Sequence, residues 1–312
     1  MKYAITTLVF GSPGFVYIDK DEYDLINSAI INLFELLFIE ENLDLVTENF
    51  QEYEAELLKI ATRGMVYHDE DYFSMSRDRN LVIRRIVNLL TACKMYFDHS
   101  KHHLSNIYGE NSDFYNQFIS ETNFQYDNNL GYRIMESLRD YSQHRDFPIQ
   151  SIGFSGEWLD IEDEQRSRLL HTVIPKIILD KLTSDKKFKK SVLNELSTIK
   201  IGDDIDIRPL IRAYIEGIGL IQEKVREIIK LDVDNWEKII INTIEKWKNL
   251  YGENASIAGL SIVSLTEDNR IQDKRTIFKE FINKRHSLVL KNRLFVNLRK
   301  RYASNEIRSN NL

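Results

Sequence analysis

The chain has 312 residues, of which 43% are hydrophobic and 29% charged, and its formal net charge is −6. That composition excludes a disordered, collagen-like or disulfide-stapled chain, and 12 Gly with 4 Pro favour long regular elements over loops. The single Cys93 has no intrachain partner, which predicts a reducing, cytoplasmic setting.

"MKYAITTLVF" is too short an apolar run for a cleaved leader and meets "GSPG", which is turn chemistry. The run and "FVYI" beyond the turn predict a β-hairpin. "LINSAIINLFELLFIEENL" is interrupted by Asn27, Asn32 and Glu35, so it predicts a buried helix and no membrane span. Asp21 or Asp19 can cap this helix, which is expected to reach Ile39, with a second running from Leu43 to Thr62. "MVYHDEDYFSMS" is expected to be a connection. A long helix should start at Ser76 or Asp78 and reach Ile107, since no Gly or Pro intervenes before Gly109. "ENSDFYNQFISETN" predicts a shorter helix, and Asp127 or Asn128 can cap the next, which runs to His144.

Beyond it, "PIQSIGFSGEWLDI" has turn-like density of Pro, Gly and Ser, and "SRLLHTVIPKIIL" with Pro175 predicts an edge strand. Helices are expected at 179–196, 207–229 and 235–250. A strand should follow at "SIAGLSIVSLT" and a broken basic helix over 274–302. The fold class is therefore mainly α with a few strands, and a domain boundary is expected near residue 150, dividing 1–150 from 151–312.

Charge is unevenly spread. From Asp19 to Glu56 twelve acidic residues stand against Lys20 alone; from Lys274 to Arg308 eleven Lys or Arg stand against Glu280 and Glu306. The basic end can contact a polyanion, or the two segments can face one another within the fold. Within "KRHSLVLKNRLFVNLRKRY", Lys291, Arg293, Arg299, Lys300 and Arg301 are weak RNA-binding candidates. The apolar residues there predict docking on the body with some phosphate contact.

"SLRDYSQHRDFPIQ" carries the most chemistry. On a helix, Arg139, Asp140, Gln143 and His144 form a polar arc, while Ile134, Met135, Leu138 and Tyr141 form the buried stripe. Phe147 precedes Pro148, so the helix must stop nearby. These residues also suit ordinary i,i+4 surface pairs and a cation at a helix C-terminus.

"LRDYSQH" resembles the R-x4–6-H motif of the HEPN superfamily, with Arg139 as the Arg, Asp140 as the polar follower and His144 as the His. "RNLVIRRIVNLLTACKMYFDH" resembles the long helix beside that motif in HEPN-like proteins. The resemblance covers residues 76–148, and nothing beyond Gln150 matches a family motif. It implies an up-and-down helical bundle over 1–150 that homodimerises and acts as a metal-independent, toxin-like or defence-related endoribonuclease with no cofactor. An antitoxin or regulatory protein would be a further partner. Arg139 and His144 would be catalytic, with Asp140, Gln143 and Tyr141 supporting. A histidine with an ordinary pKa of ~6.5 can move the 2′-OH proton, and an arginine can offset phosphorane charge. Asp140 departs from the common Asn and adds negative charge near phosphate. A non-catalytic dimerisation, partner-binding or nucleic-acid-binding bundle is the alternative.

"DHSKHH" offers Asp98, His99, His102 and His103 at helical spacing, but no Glu stands between the paired histidines as a zinc protease needs, so a solvated helix end is expected. His171 is expected to be a satisfied core histidine and Cys93 inert packing. P-loop, Rossmann and hydrolase-elbow motifs are absent from the sequence.

Overall fold

In the computed structural model residues 1–9, 14–67, 71–159, 167–202, 204–293 and 297–304 are described. The first elements are β1 (Lys2–Thr7), β2 (Val16–Ile18), α1 (Lys20–Tyr67), α2 (Tyr72–Tyr108), α3 (Asp113–Asn128) and α4 (Leu130–His144). There follow β3 (Ser151–Leu159), β4 (Arg168–Ile178), α5 (Leu179–Thr183), α6 (Lys190–Ile199) and β5 (Asp204–Asp206). Next come α7 (Arg208–Tyr251), β6 (Leu260–Leu265), β7 (Ile271–Thr276) and α8 (Lys279–Lys291), with a 3-10 turn at Leu298–Lys300. The chain is mainly helical, with two small antiparallel sheets.

Two compact units are each assembled from three segments: Met1–Asn42, Asp98–Gln117 and Lys224–Arg293 in the first, and Leu43–Phe97, Phe118–Glu223 and Leu294–Leu312 in the second. In the first unit the sheet order is β2-β1-β6-β7. The expected hairpin pairing is present, Ile5 opposite Val16; residues 10–13 of its turn lie outside the described residues. β1 also pairs along its full length with β6, and Ala4, Val263 and Leu265 form a buried cluster on that sheet.

Asp19 is the cap of α1, its Oδ1 accepting the Glu22 N–H at 2.8 Å. Instead of two helices ending at Ile39 and starting at Leu43, α1 is continuous for 48 residues. Glu40–Asn42 lie where the break was expected. Glu40 is instead 1% exposed and ion-paired to Arg226 at 2.6 Å, while Asn42 donates to the Phe38 carbonyl. α7 likewise replaces two expected helices, with buried Val233 continuing its apolar stripe where a gap was expected.

In the second unit the sheet order is β3-β4-β5, so β4 is the central strand and not an edge. Pro175 is tolerated because it stands where β5 ends. The Pro175 carbonyl accepts the Ile207 N–H at 3.2 Å, and the return bond that proline cannot donate falls just past the last β5 partner. β3 occupies the segment expected to be turns. His171 sits part-exposed on β4 rather than in the core. Of the basic helical region expected over 274–302, α8 and the 3-10 turn at Leu298–Lys300 are helical, whereas 274–276 are the end of β7.

Candidate functional site

α4 is built to be held firmly. The Asn129 side chain accepts the Tyr132 N–H at 3.1 Å and donates to the Ala213 carbonyl at 2.9 Å, capping α4 and tying it to α7. Ile134, Met135 and Leu138 are fully buried and Tyr141 is 6% exposed, as the helical stripe requires. The Arg145 N–H closes the last turn on the Tyr141 carbonyl, and α4 ends at His144 ahead of Pro148. Burial, then the Asp146 and Asp185 carboxylates, push the Tyr141 hydroxyl up, so it stays neutral and cannot serve as a base.

The two motif residues face different surroundings. Arg139 turns inward, where its Nη1 lies 3.0 Å from Glu136 Oε2 and its side chain is 16% exposed. The other Glu136 oxygen accepts the Tyr214 hydroxyl at 2.5 Å. Burial pushes both the Tyr214 hydroxyl and the Cys93 thiol well up, and Glu136 adds to each, leaving Arg139 the cation of an otherwise neutral or acidic cluster. The Arg139 Nε is buried without a hydrogen-bond partner.

His144 faces outward. Its side chain is 65% exposed, with Nε2 4.0 Å from Asp140 Oδ1. Gln143 is exposed on the same last turn. Asp140, Tyr141 and Arg145 line a shallow pocket together with Ser137, Asp185, Lys187, Phe188 and Lys189. The structure thus brings Asp140 to His144 and Glu136 to Arg139, and pairs neither motif residue with the other.

The lysines of this pocket were missed from sequence, because "SDKKFKK" was placed inside one helix over 179–196. The chain instead breaks between α5 and α6, with the Phe188 N–H bonded to the Asp185 carbonyl at 3.1 Å. Four lysines within five residues, following the turn-forming Ser184-Asp185, were the available signal.

The basic tail behaves differently at its two ends. Arg299 gives its guanidinium and its backbone N–H to Glu216, at 2.6 Å and 3.1 Å, and the Arg301 carbonyl accepts from Arg212 at 3.0 Å. Lys300 is exposed. Lys291 and Arg293 belong to the first unit, and the apolar Leu294 and Phe295 lie outside the described residues.

In "DHSKHH" His99 and His102 are exposed, as a solvated helix end requires, while His103 is part-buried against α1 within the first unit. His103 Nδ1 lies 2.6 Å from Glu35 Oε2, His99 Nδ1 lies 2.9 Å from Asn42 Oδ1, and His103 stacks on Phe38. Among the described residues no three His, Cys, Asp or Glu side chains are grouped to hold a metal ion. Among the same residues no helix is long and apolar enough to cross a membrane.

No family model matches this chain, and neither a curated protein nor a solved structure matches it significantly.

Proposed function

We propose that the protein is an endoribonuclease of HEPN type, of the toxin-like or defence-related kind, in which His144 moves the protons of 2′-OH transesterification. The observation that supports this reading best is the placement of His144. An exposed imidazole stands 4.0 Å from Asp140, at the end of a firmly capped helix and beside a pocket with three cationic side chains. Asp140 orients the ring and offsets the imidazolium, while the cations hold phosphate.

On this reading the nucleolytic steps balance without a co-reactant. The 2′-oxygen attacks phosphorus as its proton passes to a base, the bond to the 5′-oxygen breaks, and an acid protonates that leaving oxygen. One chain supplies one motif histidine, so the second proton-transfer group comes from His144 of a second copy across a dimer axis. Arg139 supplies positive charge from the inner side of the helix.

A second reading, a non-catalytic nucleic-acid-binding or dimerisation bundle, is favoured by one observation: Arg139 is already engaged with Glu136 beneath Tyr214. Incubation of single-stranded RNA with the protein in excess EDTA separates the two. The ribonuclease reading expects cleavage leaving 2′,3′-cyclic phosphate and 5′-hydroxyl ends, abolished by His144→Ala with the fold unchanged. Absence of cleavage assigns the second reading, whereas cleavage that His144→Ala leaves intact removes His144 from the chemistry and overturns the ribonuclease reading as stated.

A further inference from the structure

The segment Asp180–Lys190 carries five lysines against two aspartates. The break between α5 and α6 folds it against the motif helix within the second unit. Phe188 packs edge-on against Tyr141 at 5.7 Å between ring centroids, and Asp185 Oδ2 lies 3.5 Å from Arg145 Nε. The turn is therefore anchored by its apolar and acidic members, leaving the lysines outward: Lys186, Lys187, Lys189 and Lys190 are all exposed. Lys189 holds its position through the Tyr126 hydroxyl at 2.9 Å and stands 5.2 Å over that ring.

Of the carboxylates around the turn, Asp140, Asp185 and Glu195 already face a cation, while Asp146 and Asp180 are exposed and leave the lysines in excess. Asp185 faces Arg145, Asp140 faces His144, and Glu195 is held in a fork by Arg133 with hydrogen bonds of 2.6 to 3.1 Å. Exposed aromatic surface lies close in sequence to the pocket residues, with Phe147 52% exposed just past the motif helix. Cations tracking a backbone with aromatic rings for bases to stack on are the chemistry of single-strand binding.

We propose that the Lys186–Lys190 turn binds the backbone phosphates of single-stranded RNA and carries the strand past His144. This deepens the ribonuclease reading and rests on it for the choice of RNA. It also moves the principal phosphate-binding groups away from the tail, where Arg299 is committed to Glu216.

The test uses the full chain carrying His144→Ala, so that RNA stays intact, and a fluorescein-labelled oligouridylate followed by anisotropy across a salt series. Changing Lys186, Lys187, Lys189 and Lys190 together to Gln should weaken binding at least about tenfold near physiological salt. The slope of log affinity against log salt should fall by about 0.7 for each phosphate no longer neutralised. The same four positions changed to Arg should retain binding, since charge and not lysine chemistry is required. Wild-type affinity and slope in the Gln variant overturn the proposal, as does failure of the unaltered turn to bind the oligonucleotide at all. Binding through the turn with no cleavage by the wild-type chain would overturn the ribonuclease reading while leaving the phosphate site standing. Cleavage by the wild-type chain, together with undiminished affinity when the four lysines are Gln on the His144→Ala background, would do the reverse.

Discussion

Arg139 and His144 are five residues apart on one helix, and that spacing points them to different surroundings. Arg139 is 16% exposed and paired to Glu136, which is itself 17% exposed. Truncating Arg139 leaves the Glu136 carboxylate with only the Tyr214 hydroxyl in a half-dry site. Arg139→Ala should therefore cost about 1–3 kcal/mol in denaturant unfolding. His144→Ala should cost within about 0.5 kcal/mol, because its ring is largely in water. Equal stability losses in the two variants would contradict this division. The consequence for function is practical: lost cleavage in Arg139→Ala is interpretable only beside its unfolding curve, whereas His144→Ala reports on chemistry directly.

Among the elements, the position of α4 depends on a close approach to α7. A Cβ added to Gly131 would stand 2.5 Å from the Ala213 Cβ and 2.8 Å from the Leu210 carbonyl oxygen. The second of these is backbone and cannot give without moving α7. Gly131→Ala should cost about 1–3 kcal/mol, read as a lower urea midpoint at unchanged m-value. An unchanged midpoint would mean that the two helices do not approach so closely. α4 was largely legible in the sequence, because its stripe, its polar N-terminal residues and the stop before Pro148 are local signals. The need for glycine at 131 was not, since the reason lies some eighty residues further along the chain. The same holds for the turn at "SDKKFKK", whose charge was visible but whose neighbour, Tyr141, was not.

For the molecule as a whole, the ribonuclease reading requires two copies, because each chain offers one motif histidine. Sedimentation or light scattering should give twice the chain mass at working concentration. A strictly monomeric protein that cleaves at full rate would remove the composite site and leave His144 acting alone. Intramolecular charge pairing accounts for part of the uneven charge. Within the first unit Lys284 of α8 pairs with Glu41 of α1, and Phe281 packs edge-on against Phe34 at 4.2 Å. The acidic segment and part of the basic segment thus face one another, which was one of the two readings their charges allowed.

Local sequence signals were enough for the helical class, the N-terminal hairpin pairing, the strand at β6 and the buried stripe of α4, because periodicity, capping and turn chemistry act within a few residues. Long-range packing settled what those signals leave open. Glu40 became a buried ion-pair partner and not a break in α1, because Arg226 arrives from far along the chain to offset its desolvation. Pro175 became part of a central strand because β5 ends beside it. Arg139 turned inward because the Glu136 carboxylate, held by the Tyr214 hydroxyl, accepts it, and the lysines reached the motif helix because Phe188 found Tyr141. Each of these depends on a partner other than its immediate neighbours, and burial and charge compensation are set by partners and not by spacing.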